Sequence, residues 1–404
     1  MRVAFLTQDL QLSGGVGVVV EHASQLARHH GFDVTLVQTL RQDAPDWTFR
    51  GLEHLHVVPL VQARRQSFDV AVATWWETTD HLFELDAARY AYFVQSLEDR
   101  FYSAEQPERM AAALTQDLPV RFVTEARWIA RALEALQPGN RVLYVRNGIA
   151  KDVFASPSAA PVALGGPLRV LVEGDPEIAF KGIDDARAAV GAMREDHALT
   201  VVSPRGGADA VGPLAPAEMA SAYAGHDVVL KLSRIEGMFG PPLEGFHMGA
   251  TCVVTPVTGH DEYVEHGVNG LIVDWDDQRG TARALDLLAR DRALLHRLRS
   301  GALATARTWP SWEQSSTVMA AALRTIHREP PPPVRAAGLR LTADIGHNLA
   351  AGQHAFIELT QVNALYNEVR ETRAYRWGVA IRTFARRVAW PLRKARGLAR
   401  RLRA

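Results

Sequence analysis

The stretch that decides the fold is VVLKLSRIEGMFGPPLEGF, residues 228–246. Its first part, Val228–Leu232, predicts a buried strand, and a glycine-bounded loop follows. A helix then opens at Pro241 and Pro242, which the first helical turn tolerates because the missing N–H groups have no partner there. Strand, loop and helix in this order predict one unit of a parallel α/β sheet.

The same alternation of strands and helices runs through the sequence on both sides of this stretch. Two tandem halves of this kind predict two Rossmann-like α/β domains facing a cleft, with ligands at the carboxyl ends of the strands. The predicted strands are Arg2–Thr7, Val34–Val37, His56–Leu60, Val70–Ala73, Ala91–Val94, Arg121–Thr124, Leu168–Val172, Leu199–Val202, Val228–Leu232, Cys252–Thr255 and Leu271–Val273. The closing helices are predicted over Thr281–Thr308 and Ser311–Arg328.

Segments rich in proline and small residues mark the domain boundaries. Ser156–Pro167 interrupts the alternation, and Pro330–Pro333 is a stiff linker. Beyond the linker the chain is predicted to be irregular and then mostly helical. The predicted regions are an N-terminal domain over 1–160, a second domain over 161–328 whose last helix packs back on the first, and a helical basic extension over 329–404.

Composition excludes several classes of protein. The chain has 404 residues, of which 47% are hydrophobic, so it can bury a sizeable core. Lys+Arg and Asp+Glu number 45 each, which gives no reason to expect nucleic acid as a partner. A single cysteine, Cys252, fits a reducing compartment. Because no run of about 18 apolar residues occurs, no membrane-spanning helix is predicted, and we expect a cytoplasmic protein.

The basic charge is concentrated at the C-terminal end. Residues 373–404 contain eleven basic residues and no acidic one. A basic amphipathic helix is predicted here, and it suits an anionic membrane surface on the inner face of the membrane. Docking on the acidic body of the protein and pairing into a homo-oligomer are the alternatives. Its apolar face is Trp377, Ile381, Phe384, Val388 and Leu392, and a second pairing seam is predicted at Phe356, Leu359, Val362, Tyr366 and Val369.

Two acidic residues frame the loop after Val228–Leu232. Glu236 is predicted at the strand exit and Glu244 in the first helical turn, so both can face the cleft. Loop N–H groups near Phe239 and Gly240, with the positive helix end behind them, suit an oxygen-rich anionic ligand. A carboxylate in the first turn suits the two hydroxyls of a ribose. The alternative is that Glu244 only complements the helix dipole and Glu236 only caps the loop.

The segment from Glu236 to Val273 resembles the donor-site signature of retaining glycosyltransferase family 4, which has the GT-B fold. It carries the Glu-x7-Glu spacing, then a Gly-x-x-Glu loop and a Gly-x-Asn-Gly turn. The resemblance implies that Glu236 holds the donor-sugar hydroxyls and Glu244 the ribose. It further implies donor contacts from Gly237 and from the backbone N–H groups of Phe239 and Gly240.

Lys181 fits the same resemblance. It follows the first strand of the second half, where an ammonium group can neutralise a diphosphate leaving group. The family usually has an arginine in a preceding Gly-Arg-Leu element, but here Asp175 follows Gly174. Arg205 and Arg234 are therefore the candidates for a second cation. With lysine and helix N-termini carrying the phosphate charge, no metal is expected.

Two further motifs bear on cofactors and metals. Glycine lets the backbone approach a phosphate closely, and the resemblance places Gly14 and Gly15 against the donor diphosphate or the acceptor. A nicotinamide site needs Gly-x-Gly-x-x-Gly, whose last position is Val20 here, so no cofactor is expected. The acidic run Asp274–Asp277 precedes a helix, so we expect it to cap that helix rather than bind a metal.

The acceptor side is predicted in the first domain. Trp75 and Trp76 follow the strand Val70–Ala73, where they either stack on an acceptor sugar or cover the sheet. Residues 92–102 resemble a pattern of bacterial members that build surface polysaccharides, rhamnosyltransferases among them. Gln95 in this segment cannot act as a base at neutral pH, so its expected role is to position the reacting hydroxyl.

The sequence therefore predicts a retaining, metal-independent glycosyltransferase. Its partners are expected to be a nucleotide-sugar donor and a glycan or lipid-linked glycan acceptor, in bacterial cell-surface polysaccharide synthesis. Two alternatives remain: a sugar epimerase or phosphorylase on the same fold, and a non-catalytic assembly subunit that binds glycan or nucleotide.

Overall fold

A computed structural model of the chain describes residues 1–40, 47–157, 166–207, 209–329 and 334–372. The strands are β1 (Arg2–Thr7), β2 (Asp33–Gln38), β3 (His56–Pro59), β4 (Ser67–Ala73), β5 (Asp86–Val94), β6 (Arg121–Thr124), β7 (Leu143–Tyr144), β8 (Leu168–Glu173), β9 (His197–Val202), β10 (Val228–Lys231), β11 (Thr251–Val254) and β12 (Gly270–Ile272). They form two parallel sheets, in the orders β3-β2-β1-β4-β5-β6-β7 and β12-β11-β10-β8-β9. The predicted α/β class with two Rossmann-like halves is confirmed. Only the two-residue β7 has no counterpart among the predicted strands.

Helices alternate with the strands and then close the chain. They are α1 (Gly14–His30), α2 (Leu60–Ala63), α3 (Pro107–Leu114), α4 (Arg127–Leu136), α5 (Ile183–Gly191), α6 (Pro216–Ala224), α7 (Gly240–His247), α8 (Gln278–Arg290), α9 (Arg292–Thr308), α10 (Trp312–Arg328) and α11 (Val334–Glu371).

Both sheets are covered on both faces. Along β1, Ala4 and Leu6 lie in one apolar cluster, whereas Val3 and Phe5 lie in another. Strands buried in this way read as nearly continuous apolar runs, which is the pattern that the sequence shows. The carboxyl ends of the strands are thus the places where polar side chains emerge from the core.

Helix α10 belongs to the first core although it follows the second domain in sequence. Met319, Leu323 and Ile326 are buried in the same cluster as Phe5 and Val72. The chain therefore crosses between the domains twice.

The predicted helix Thr281–Thr308 is two helices in the structure. Asp291 leaves the helical conformation and accepts a hydrogen bond from the Leu294 N–H at 2.8 Å as the N-cap of α9. The apolar pattern continues through the break, so periodicity alone does not reveal it.

The residues after Pro333 are helical at once, whereas an irregular stretch was expected. Gly338 lies against the Phe83 ring, where a Cβ atom would clash with ring carbons. Thr342 and Ile345 are buried one and two turns later. Tertiary packing therefore contributes to the stability of the start of this helix.

The described chain divides into two compact units. One comprises residues 1–103 and 108–346, and the other comprises residues 104–107 and those from 347 onward. In the second unit α11 exposes Phe356, Ile357, Leu359 and Val362. The side chains of Tyr366 and Val369 and the predicted basic helix lie outside the described residues. Among the described helices, none is long and apolar enough to cross a membrane.

Candidate functional site

The loop between β10 and α7 is anchored by packing at its helical end. Phe239, which precedes the helix, is fully buried, and its carbonyl accepts a hydrogen bond from the Tyr263 hydroxyl. Pro241 lies in the first turn of α7, as predicted. The first N–H groups of a helix have no intrahelical acceptor. The fixed start of α7, at Gly240, is therefore suited to an anion.

Lys181 and Glu236 meet at the carboxyl ends of β8 and β10. The Lys181 Nζ lies 3.0 Å from Oε1 and 3.1 Å from Oε2 of Glu236. The Lys181 side chain is 26% exposed and that of Glu236 is 10% exposed. The two predicted catalytic residues thus form an ion pair at the edge of the core.

Gly182 explains how Lys181 reaches this position. Its φ of 66° is in the left-handed region, and a Cβ atom there would clash with the Leu232 carbonyl. The Arg234 N–H also donates to the Phe180 carbonyl at 2.7 Å. The turn that carries Lys181 is therefore held against the loop after β10.

Lys231 is a second cation beside Glu236, and the sequence analysis did not single it out. Its Nζ donates to Oε2 of Glu173 at 2.7 Å and to the Glu173 carbonyl at 2.9 Å, and it lies 4.0 Å from Oε1 of Glu236. Its side chain is only 2% exposed. The signal in the sequence is a lone charge at the end of an apolar strand.

The charges of Lys231 and Glu173 support each other. Burial opposes both charged forms, yet Glu173 raises the pKa of Lys231 above its usual value, with a further contribution from Glu236. In the same way Lys231, with Lys181, lowers the pKa of Glu173 against the effect of burial. Both groups are therefore charged at neutral pH.

Glu244 lies one turn into α7 rather than in its first turn. Since the helix begins at Gly240, no acidic residue occupies the first turn, which corrects the prediction. Burial raises the pKa of Glu244 to about 7, with Glu173 adding to the rise and Tyr223 and Lys231 opposing it. Glu244 is thus poised between its charged and neutral forms near neutral pH.

Both candidate arginines are paired with carboxylates away from the Lys181–Glu236 pair. Arg205 lies 2.7 Å from Oδ2 of Asp175 and 2.7 Å from Oε2 of Glu177, and its side chain is 64% exposed. Arg234 pairs with Asp276 and lies 3.4 Å from Asp185. Their role as a second diphosphate cation stays a prediction.

The acidic run after β12 caps a helix. The Asp277 side chain accepts a hydrogen bond from the Gly280 N–H at 2.7 Å at the start of α8. Capping was the role expected for this run.

Gln95 of the first domain contacts glycines from both domains. A Cβ atom on Gly15 would lie 3.5 Å from the Gln95 carboxamide, and one on Gly237 would clash with the Gln95 carbonyl. Gly14, one residue earlier, begins α1 behind the N-cap Ser13 and has open space around it. The predicted donor loops and the predicted acceptor residue are therefore neighbours.

Side-chain hydrogen bonds link the domains beside Gly237. The Trp128 Nε1–H donates to the Gly237 carbonyl at 3.0 Å, and the Met238 N–H donates to Oε1 of Glu125 at 3.1 Å. Glu125 also accepts from the Asn147 amide at 2.7 Å. Burial raises the pKa of Glu125 to about 7. The site loop is thus tied to the first domain and to the crossover segment.

The two predicted acceptor tryptophans differ in exposure. Trp76 is fully buried and donates from Nε1 to the Tyr102 hydroxyl at 3.0 Å, so it covers the sheet and cannot stack on a sugar. Trp75 is half-buried and stacks on Phe101 at 5.8 Å between centroids. Phe101 in turn stacks at 5.3 Å on Phe180, whose ring centroid is 5.5 Å from the Lys181 Nζ. This aromatic stack reaches from the acceptor side to the lysine.

Glu98 is a buried carboxyl beneath this surface that the sequence analysis did not single out as a site residue. It accepts hydrogen bonds from the Trp76 N–H at 2.6 Å and from the Tyr92 hydroxyl at 2.8 Å. Burial raises its pKa to about 8, against the effect of these donors. Glu98 therefore supports the fold of the acceptor side in its neutral form at neutral pH.

The sheets, their crossovers and the charged groups at the strand ends define a two-domain fold of the GT-B class. Residues 170–291 match the family described as glycosyl transferases group 1. No curated protein sequence matches the chain significantly.

Solved structures match most of the chain at low identity. HepE from Anabaena, in complex with UDP and glucose, is 16% identical with a TM-score of 0.64, covering 80% of this chain and 100% of that one. Sucrose-phosphate synthase from Thermosynechococcus elongatus is 14% identical with a TM-score of 0.65, covering 80% and 98%. WaaG, a glycosyltransferase involved in lipopolysaccharide biosynthesis, is 15% identical with a TM-score of 0.59, covering 81% and 100%. These likenesses confirm the GT-B fold.

We expect Gly237→Ala to destabilise the protein by about 1–3 kcal/mol, because the added methyl group meets the Gln95 carbonyl. Urea unfolding measures the loss. Gly240→Ala is the matched control, since a Cβ atom there has no neighbour within 4 Å. Equal stabilities of the two variants would show that the domains are not in contact at Gly237.

A second prediction concerns pH and Glu98. Because its pKa is about 8 in the folded chain against a usual 4.5, the folded state keeps a proton that the unfolded state releases. The contribution of Glu98 to the free energy of unfolding is therefore largest below about pH 4.5. It falls as the pH rises to 8, by at most about 1.4 kcal/mol per pH unit.

The stability of the wild type relative to Glu98→Gln should thus decrease from pH 5 to pH 8 and level off above. Urea unfolding at several pH values measures it, with the exposed Asp117 changed to Asn as the control. A difference that is constant or grows with pH would contradict the buried neutral carboxyl.

Proposed function

We propose that this protein is a glycosyltransferase that takes its sugar from a nucleotide-sugar donor bound to the second domain. The observation that carries the proposal is the Lys181–Glu236 pair at the strand ends, inside the segment that matches glycosyl transferases group 1. The ammonium group of Lys181 can bind a diphosphate, and the adjacent carboxylate of Glu236 can accept hydrogen bonds from sugar hydroxyls. The likeness to HepE, whose structure contains UDP and glucose, supports the same placement.

The donor-side roles follow the chemistry of each group. Lys181 and the start of α7, with the Phe239 and Gly240 amides, stabilise the charge that develops on the departing diphosphate. Glu236 orients the sugar and Glu244 receives the ribose. Gly14, Gly15 and Gly237 let the backbone come close to the ligand.

We infer that the acceptor binds to the first domain beside Trp75 and Gln95. The acceptor oxygen bonds to the anomeric carbon on the face from which the diphosphate oxygen leaves, so the anomeric configuration is retained. The acceptor proton goes to the departing phosphate. This route needs no side-chain base, which agrees with an amide at Gln95 and with the neutral, buried Glu98.

The acceptor proposed is a glycan or a lipid-linked glycan of a bacterial cell surface. The sequence pattern around Gln95 and the likeness in fold to WaaG support this class. Trp75 is half-buried and stacks with Phe101, so its exposed part offers an aromatic surface for a sugar ring.

A screen of UDP-, GDP- and dTDP-sugars with glycan acceptors tests the function. Transfer should occur only when an acceptor is present. Conversion of the donor sugar without acceptor would instead identify an epimerase, and donor binding without any turnover would identify a non-catalytic subunit.

We expect Lys181→Ala to lower turnover about 10²–10³-fold, because the leaving diphosphate loses its ammonium group. The melting temperature should change little, since the Lys181 side chain lies at the edge of the core. Lys151→Ala is the control. The Nζ of Lys151 donates a hydrogen bond to the Arg307 carbonyl at 3.4 Å, outside the proposed site. Unchanged turnover in Lys181→Ala would remove the proposed role.

A further inference from the structure

Five ionisable side chains form one buried charge cluster at the carboxyl ends of β8 and β10. They are Glu173, Lys181, Lys231, Glu236 and Glu244. Two of these groups are cations, and both lie within 4.0 Å of the Glu236 carboxylate.

The two lysines differ in how far each can move. Lys181 is on a short turn at the edge of the core, and its side chain is partly exposed. Lys231 is on a central strand, 2% exposed, and donates to both the carboxylate and the carbonyl of Glu173. An anion that enters the site can draw Lys181 away from Glu236, whereas Lys231 has to stay.

We propose that Lys231 is a positioning residue that holds the Glu236 carboxylate in place, as its remaining cation, when a diphosphate draws Lys181 away. A buried carboxylate that loses its only cation becomes costly. Lys231 removes that cost, so Lys181 is free to turn from the carboxylate to the phosphate. This inference rests on the proposed function.

The position of Lys231 in its strand supports a role beyond packing. Val228, Val229 and Leu230 before it and Leu232 after it are buried apolar residues. A charge at this point costs desolvation free energy that an apolar side chain would avoid. The charge of Lys231 is placed beside the carboxylates of Glu173 and Glu236. Of these two carboxylates, Glu236 also pairs with Lys181.

Calorimetric titration of the full chain with inorganic pyrophosphate, and separately with UDP, tests the proposal. Lys231→Met alone leaves the partly buried Glu173 carboxylate without its cation, so the informative variant is Lys231→Met/Glu173→Gln, which removes both charges. The same pair of substitutions is then made in a Glu236→Gln background. Pyrophosphate carries no sugar and UDP carries only its ribose, so contacts of Glu236 with the donor sugar do not enter the comparison.

We expect the double variant to bind pyrophosphate about tenfold more weakly than the wild type, because Glu236 then holds Lys181 more tightly. With glutamine at position 236 the same two substitutions should change the affinity less than about twofold. Glu236→Gln alone should bind pyrophosphate more tightly, since Lys181 has lost its competing carboxylate. A role in the fold alone would lower the melting temperature in both backgrounds without producing this coupling.

Three results would overturn the inference in distinguishable ways. An equal loss of affinity in both backgrounds would mean that Lys231 acts on the anion directly. No loss in the double variant would mean that Lys231 serves only Glu173. Failure of the wild type to bind either probe would refute the proposed function itself, together with the role inferred for Lys231.

Discussion

The ion pair between Lys181 and Glu236 is the interaction on which the rest of the site depends. It joins the ends of two neighbouring strands, and it exists only because Gly182 lets its turn lie against the Leu232 carbonyl. Its two members stand 55 positions apart in sequence. Parallel strands bring both to one edge of the sheet, so the fold itself supplies the approach of the charges.

The position of the site between two domains depends on the close approach at Gly237 and on the side-chain hydrogen bonds around it. Gly237 admits the Gln95 carbonyl, and its own carbonyl accepts from Trp128. Glu125 then fixes the next residue, Met238, while it also holds Asn147 at the crossover. The crossover and the loop that carries Glu236 are therefore connected through the carboxylate of Glu125.

The parts of this arrangement that follow from local pattern were predictable. Apolar runs predict the strands, and the turn from strand to helix predicts where Glu236 lies. In a parallel sheet the carboxyl ends of the strands lie on the same side, so the topology then predicts which strand ends meet. The role of Lys231 was not predicted, because an apolar strand pattern indicates only that its residues pack in the core. Trp75 and Trp76 are adjacent and alike in sequence, yet one is half-buried and the other is in the core, which only the packing of Tyr102 and Phe101 decides. Asp291 breaks a helix whose apolar period continues unbroken.

The charge balance of the site bears on how it would attract the proposed diphosphate. Lys181 and Lys231 are matched by Glu173 and Glu236, and Glu244 adds a third carboxyl, so the cluster has no net positive charge to offer before a ligand arrives. Attraction must therefore come from rearrangement or from charges outside the cluster. Ion pairs of exposed side chains contribute little stability, so Arg205 can leave the exposed Glu177 at small cost. Its other partner, Asp175, is buried and would lose its cation. Lys231 cannot leave Glu173 in this way, because it is itself buried and its departure would leave the partly buried Glu173 carboxylate without its cation. The guanidinium of Arg205 at the surface and the ammonium of Lys231 one layer below thus differ in how freely each can leave its carboxylate partners.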